Sequence, residues 1–276
     1  MIKSTAYDGK ERKCAMKNAE NCFYSKFGFL PSRSLMVGVE RESFLADSSG
    51  RITPLAVSVL DFLKQQSQNG KFGYELSACQ LETRVGSCRL PDLKVKLAEV
   101  EAQVKKAEQV LNFKCLEMEV APDDMPLDIY PDPFGRYQEI VKKMPPEVLL
   151  AACQVVGTHV HIGLPDHKTA LKVYNQAVNY CDELCQLGDG SCGQRLALYK
   201  KVAPNFQPPS YASWQDYFEY AEQHSFADNP RNCWHLIRLS IHGTIEFRMF
   251  GTTGDLNKIV TWANKCWHLC WQAIVS

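Results

Sequence analysis

Charged and imidazole side chains stand at alternate positions in four segments whose intervening residues are mostly apolar. In Val37-Gly38-Val39-Glu40-Arg41-Glu42-Ser43-Phe44-Leu45 two carboxylates lie two residues apart. The two-residue period of a strand puts both on one face. Adjacent anions repel unless a cation lies between them, and magnesium prefers hard oxygen ligands of this kind. Gln80-Leu81-Glu82 repeats the pattern, with Leu81 turned the other way. Glu75, just upstream, reaches the same region only if that strand bends. Gly157-Thr158-His159-Val160-His161-Ile162-Gly163 puts two imidazoles on one face, and its end glycines allow close backbone approach to a ligand. Metal ligation and phosphate contact are both open to such a pair. Thr244-Ile245-Glu246-Phe247-Arg248 places Glu246 and Arg248 together, with Arg238 in the neighbouring segment. Guanidinium groups there suit bidentate binding of carboxylate or phosphate. Each pair taken alone also has a plain structural reading: a solvated strand face, a structural histidine, a cross-strand salt bridge. Four such segments on one sheet face make a metal and nucleotide site. The chain has no Walker A loop, no Gly-x-Gly-x-x-Gly and no Gly-x-Ser-x-Gly, so arginine and Mg²⁺ would take the place of a glycine-rich phosphate loop.

The elements that must carry these residues follow from periodicity. Leu35–Leu45 and Leu76–Val85 read as strands, and Lys114–Val120 as a third. Val155–Leu164 reads as a further strand, and 234–240 with 244–250 as a hairpin around Ile241-His242-Gly243. Helical spacing runs over 54–66, 91–112, 137–143, 167–187, 192–202, 211–224 and 255–274. Pro122–Pro133 reads as a surface loop. Strands and helices mix without strict alternation. That predicts an α+β fold, a largely antiparallel sheet with helices on one face. Residues 1–33 are expected to be a flexible N-terminal extension, and 34–276 the catalytic domain.

Net charge is zero, so charge alone favours neither a nucleic-acid nor a membrane-surface partner. No apolar run approaches the roughly 18 residues of a membrane span. The 12 cysteines include two pairs at helical spacing, Cys181/Cys185 and Cys266/Cys270, which read as buried thiols on one helix face. A cytoplasmic protein is expected.

The ordered motifs resemble a known superfamily. The segment Gly38–Leu45 is similar to the opening strand of the second glutamate–cysteine ligase family. Gln80-Leu81-Glu82 followed by Cys88 is similar to its second motif, and Gly157–Gly163 to its GxHVHIG signature. Ile237-Arg238-Leu239-Ser240 and Gly243–Arg248 resemble its closing hairpin, while Arg248-Met249-Phe250 through Trp262 is also similar to the phage and bacterial amidoligases. The resemblance implies a glutamine-synthetase-like catalytic fold with a curved sheet. It also implies an ATP-dependent C–N ligase that forms an amide, γ-glutamyl or peptide, through an acyl phosphate. By motif position Glu40, Glu42, Glu82, His159 and Glu246 would hold Mg²⁺ or Mn²⁺, with Glu75 in reserve. Arg238 and Arg248, with Glu246, would be catalytic and would bind phosphate. His161 would contact nucleotide or substrate. The stretch after the His-x-His strand is short and lacks a Ser-Pro-Phe-Trp-like motif, and within it Gly188–Arg195 offers Arg195 as the substrate arginine. The implied partners are ATP, a small carboxylate such as glutamate with an amine acceptor, or a peptide, and a homo-oligomer is compatible. A guanidino phosphotransferase, a silent binding protein on the same fold and a metal hydrolase using the His-x-His pair are the alternatives.

Overall fold

The computed structural model describes residues 19–66 and 71–276. Helical residues 19–24 (α1) lead into β1 (Val37–Ala46), α2 (Ala56–Gln66), β2 (Phe72–Tyr74) and β3 (Gln80–Cys88). Then come α3 (Leu93–Leu111), β4 (Lys114–Leu116), α4 (Arg136–Val141), α5 (Pro146–Cys153) and β5 (Thr158–Gly163). The chain continues through α6 (His167–Val178), α7 (Cys181–Gly188), α8 (Gln194–Val202), α9 (Trp214–Gln223), β6 (Ile237–Ser240), β7 (Thr244–Phe250) and α10 (Leu256–Val275).

The described strands form one antiparallel sheet in the order β2-β3-β1-β5-β7-β6, with the short β4 also pairing β1. Alternation decides what each face does. Val39, Leu81, Val85, Val160, Ile162, Ile245 and Phe247 point to one side and are buried. Helices α2, α3, α6 and α10 cover that side and form with it a single large core. Each helix buries the stripe its spacing marks; α3 buries Leu93, Leu97, Val100, Val104 and Ala107. Side-chain caps fix where α6, α9 and α10 begin: Asp166 accepts from the Thr169 N–H, Ser213 from that of Asp216, and Asp255 from that of Asn257.

The opposite face carries the charged residues. At its Phe44 end it is closed by a second, smaller core in which Phe44 packs with Cys79, Met125, Leu149, Cys153 and Val156. The rest stays open as a cavity of about 690 Å³, walled by residues of α4, α5 and α8.

The α+β expectation, a mostly antiparallel sheet with helices on one face, holds. Several elements differ in detail. The 167–187 helix is two, α6 and α7, broken around Asn179-Tyr180. The strand expected at 114–120 ends at Leu116, with a lone bridge from Val120 to Val155. Helix α5 was not foreseen. Residues 1–18 of the expected extension lie outside the described residues. Residues 19–33 are packed: Phe23 and Phe27 are buried, and Phe23 meets Tyr217 edge-on with ring centroids 5.3 Å apart.

Candidate active site

The sheet register brings the four motifs together. Glu40 lies opposite His159, Glu42 opposite Glu82, and His161 opposite Glu246, which in turn faces Arg238. Directly opposed residues on one face have Cβ atoms about 5 Å apart. The side chains therefore meet across β3, β1, β5, β7 and β6 in sequence. Gly38 faces His161 and adds no side chain, which leaves that imidazole free to lean toward Glu40. The distances follow: His161 Nε2 to Glu40 Oε2 is 3.4 Å, His159 Nδ1 to the same oxygen 3.6 Å, and His159 Nε2 to Glu42 Oε1 3.6 Å.

At the other end Glu246, 1% exposed, holds two guanidiniums. Arg238 donates through Nε to Oε2 at 2.7 Å and through Nη2 to Oε1 at 3.1 Å, while Arg248 Nη1 also donates to Oε1. Burial alone would raise the Glu246 pKa, but Arg238 and Arg248 outweigh it and hold the carboxyl well below its usual range. Glu40 is likewise low, because His161 and His159 outweigh its burial. The β3 side behaves in the opposite way. Burial, with the Glu40 charge next, pushes Glu82 up to about 8 against the pull of Arg84, and burial with Glu82, Glu42 and Glu40 raises Glu75 well above its ordinary value. One half of the cavity therefore has an excess of carboxylates, and in the other a carboxylate is paired with two arginines.

Glu40, Glu42, Glu75, Glu82, His159, His161, Arg195, Glu246, Arg238 and Arg248 all line this one cavity. Glu75 reaches it because the chain turns between β2 and β3. Ligand atoms of Glu40, His161 and Glu246 lie within 4.8 Å of one another, and His159 Nδ1 lies 3.8 Å from Glu246 Oε1. Carboxylate oxygens with one imidazole suit a divalent cation, so these residues fit the implied ion. Arg195 is differently engaged. It is buried and donates to three backbone carbonyls, Val156 at 2.7 Å, Met249 at 3.0 Å and Arg248 at 3.1 Å. Its guanidinium ties the approach to β5 to the end of β7 and leaves little for a substrate carboxylate.

Other cavity residues were not foreseen. Arg84 is ion-paired with Glu82 and continues the Gln80/Glu82 alternation, the signal that would have found it. Tyr199 on α8 accepts from Arg248 Nε at 3.3 Å and donates to the Trp234 carbonyl at 2.9 Å, and Trp234 lies under the Arg248 guanidinium. No spacing in the sequence links these to the strands.

No family model matches the chain. Curated proteins do. It is 25% identical over 259 residues to a Gloeobacter violaceus protein and 26% over 244 residues to one from Thermobifida fusca, both named "Putative glutamate--cysteine ligase 2". The matches cover 84% and 80% of this chain but 66% and 60% of those proteins, so the chain spans less than two thirds of their length. Among solved structures it is similar to a bifunctional glutathione synthetase from Pasteurella multocida, with TM-score 0.58, 14% identity, and coverage of 94% of this chain and 41% of that one. It is also similar to the Plasmodium falciparum glutamine synthetase, with TM-score 0.50, 12% identity, and coverage of 94% and 54%. The chain thus has a glutamine-synthetase-like fold, and its sequence is similar to that of the second glutamate–cysteine ligase family.

Proposed function

We propose that the protein is an ATP- and divalent-metal-dependent ligase that joins a carboxylate to an amine. The observation that carries this reading is the division of one cavity floor into a carboxylate cluster and an arginine pair. ATP and an acyl phosphate are polyanions, and both halves are needed to hold them: cations directly at the arginines, and a metal ion at the carboxylates.

In this reading the γ-phosphoryl group of ATP passes to the substrate carboxylate, leaving ADP and an acyl phosphate. The amine nitrogen then attacks the carbonyl carbon. The C–N bond forms, the C–O bond to phosphate breaks, inorganic phosphate leaves and the amine loses a proton. Glu40, His161 and Glu246, with Glu42, Glu82 and His159 in the same cavity and Glu75 in reserve, would hold Mg²⁺ or Mn²⁺, which supplies charge neutralisation at the phosphates. Glu246 orients Arg238 and Arg248 as a fixed pair, so the phosphate meets donors that need no reorganisation. Tyr199 and Trp234 keep Arg248 in place from behind. The described cysteines are free, which fits a reducing compartment such as the cytoplasm.

The test is phosphate release from Mg–ATP with glutamate and a panel of amines, followed by mass spectrometry of the product. Amine-dependent release and a new amide are expected, both falling at least a hundredfold in Glu246→Gln, whose neutral side chain no longer pairs with two guanidiniums. Amine-independent release, or transfer of phosphate to a guanidine with no amide formed, would overturn the reading.

A further inference from the structure

The carboxylates on the β1 and β3 side of the cavity have a cation of their own. Register puts it there. Arg84 lies opposite Glu40, and Glu82 opposite Glu42, so three carboxylates and one guanidinium stand at the corners of a square on one sheet face. Arg84 Nη2 pairs with Glu82 Oε2, and Arg84 Nε lies 4.0 Å from Glu40 Oε1. The neighbouring strand leaves room for this contact. Gly73 of β2 faces Glu82, and a Cβ there would come within 2.5 Å of both Arg84 Nη2 and Glu82 Oε2. A side chain at position 73 would collide with the pair, so the space over Gly73 is space for the guanidinium.

The other cations of the cavity do not do this. Lys64 and Arg136 line it, and neither forms an ion pair among the described residues. Arg238 and Arg248 are held at Glu246, and the Arg195 guanidinium at three carbonyls. The donor atoms that converge most closely, those of Glu40, His161 and Glu246, leave Glu82 out. The carboxylates thus divide between a group that suits a divalent ion and a corner already served by arginine. A guanidinium keeps its charge at every working pH, and this one is tethered two residues from the carboxylate it serves. An ion arriving at Glu82 meets that charge at close range and is repelled by it.

We infer that Arg84 is a built-in counter-cation for the Glu82 corner: without nucleotide the chain takes one divalent ion tightly, at Glu40, His161 and Glu246, and a second at Glu82 and its carboxylate neighbours only when Arg84 is removed. This assignment rests on the metal site of the ligase reading, but it is tested by binding alone. Mn²⁺ is titrated into the metal-free full chain, and the unbound ion is counted by electron paramagnetic resonance. The wild type should bind one ion, any second being weaker by about tenfold or more. Arg84→Met should bind two, the second tightened about tenfold or more by loss of the positive charge. Arg84→Lys, which keeps the charge, should stay nearer the wild type, and Arg84→Met combined with Glu82→Gln should return to one ion. Far-UV circular dichroism checks that each variant is folded. Two ions of equal affinity in the wild type would overturn the inference whatever the variants do, and so would an unchanged second-ion affinity in folded Arg84→Met. If amides form in the turnover assay while Arg84→Met leaves ion binding unchanged, this inference fails and the ligase stands. If the ion counts are as expected and no amide forms with any amine, the ligase fails and the counter-cation stands.

Discussion

Three arginines of one cavity, with two different duties, show how much a single side chain decides here. Arg238 and Arg248 converge on Glu246, with Arg238 Nη1 also held by the Arg231 and Cys233 carbonyls and Arg248 Nε by the Tyr199 hydroxyl, whereas the Arg195 guanidinium gives its hydrogen bonds to three backbone carbonyls. Arg195→Met is therefore expected to cost about 3 kcal/mol or more in unfolding free energy, because the carbonyls of Val156, Arg248 and Met249 lose their donors in a dry environment. Chemical denaturation measures this, and a change below about 1 kcal/mol would show that water replaces the guanidinium freely. His235 supplies a pH dependence. Burial, reinforced by His224 and Arg238, pushes it down to about 4. The unfolded chain takes a proton at this histidine below about 6.5 and the folded one only near 4, so stability falls as pH drops through that window, by about 3 kcal/mol at most. Urea unfolding at pH 7 and pH 4.5 should show a smaller loss in His235→Gln than in the wild type. Equal losses would place the acid sensitivity elsewhere.

At the scale of elements, what was readable was what alternates. Glu40/Glu42, Gln80/Glu82, His159/His161 and Glu246/Arg248 each declare a strand face, and the structure puts all of them on one cavity floor. Register was not readable, and register is what seats Glu40 opposite His159 and Glu246 opposite His161, so that both imidazoles reach Glu40. The walls were also hidden. Tyr199 and Val202 look like ordinary helix positions, and α5 is a short apolar run with no flanking charge pattern, so nothing local marks them as facing a site. Turns are the other element-level control. Gly243, at φ 74° between β6 and β7, sits where an added Cβ would meet the backbone of Gly28 and of Phe29. Gly243→Ala should therefore destabilise the protein by about 2 kcal/mol or more, from the left-handed backbone and the collision together. Thermal unfolding would register this as a drop of several degrees; an unchanged midpoint would mean that the 28–29 segment moves aside without cost.

For the molecule as a whole, residues 19–33 belong to the packing. The Gly28 N–H donates to the Ile241 carbonyl at 3.0 Å, and the Leu30 N–H to the Leu164 carbonyl at 3.2 Å, so this segment laces the end of β5 to the β6–β7 turn. Phe23, Phe27 and Phe29 are buried against α9 and its surroundings. A chain beginning at residue 34 should lose several kcal/mol, each large aromatic truncation in a core costing about 3 kcal/mol or more. It should also expose apolar surface that a hydrophobic dye detects; a truncated chain as stable as the full one would return the boundary to residue 33. Among the described residues no helix is long and apolar enough to cross a membrane.

The strand order has a consequence in time. β1 is paired with β5 across more than a hundred residues, and β5 with β7 across most of a hundred more. Glu40 thus leaves the ribosome long before the partners that complete its cluster, and Glu246 lies about two hundred residues further along the chain. A nascent chain holds scattered carboxylates and no site. The cluster is completed only when the closing hairpin docks beside the His-x-His strand, so a nascent chain that has not reached β7 holds no assembled site.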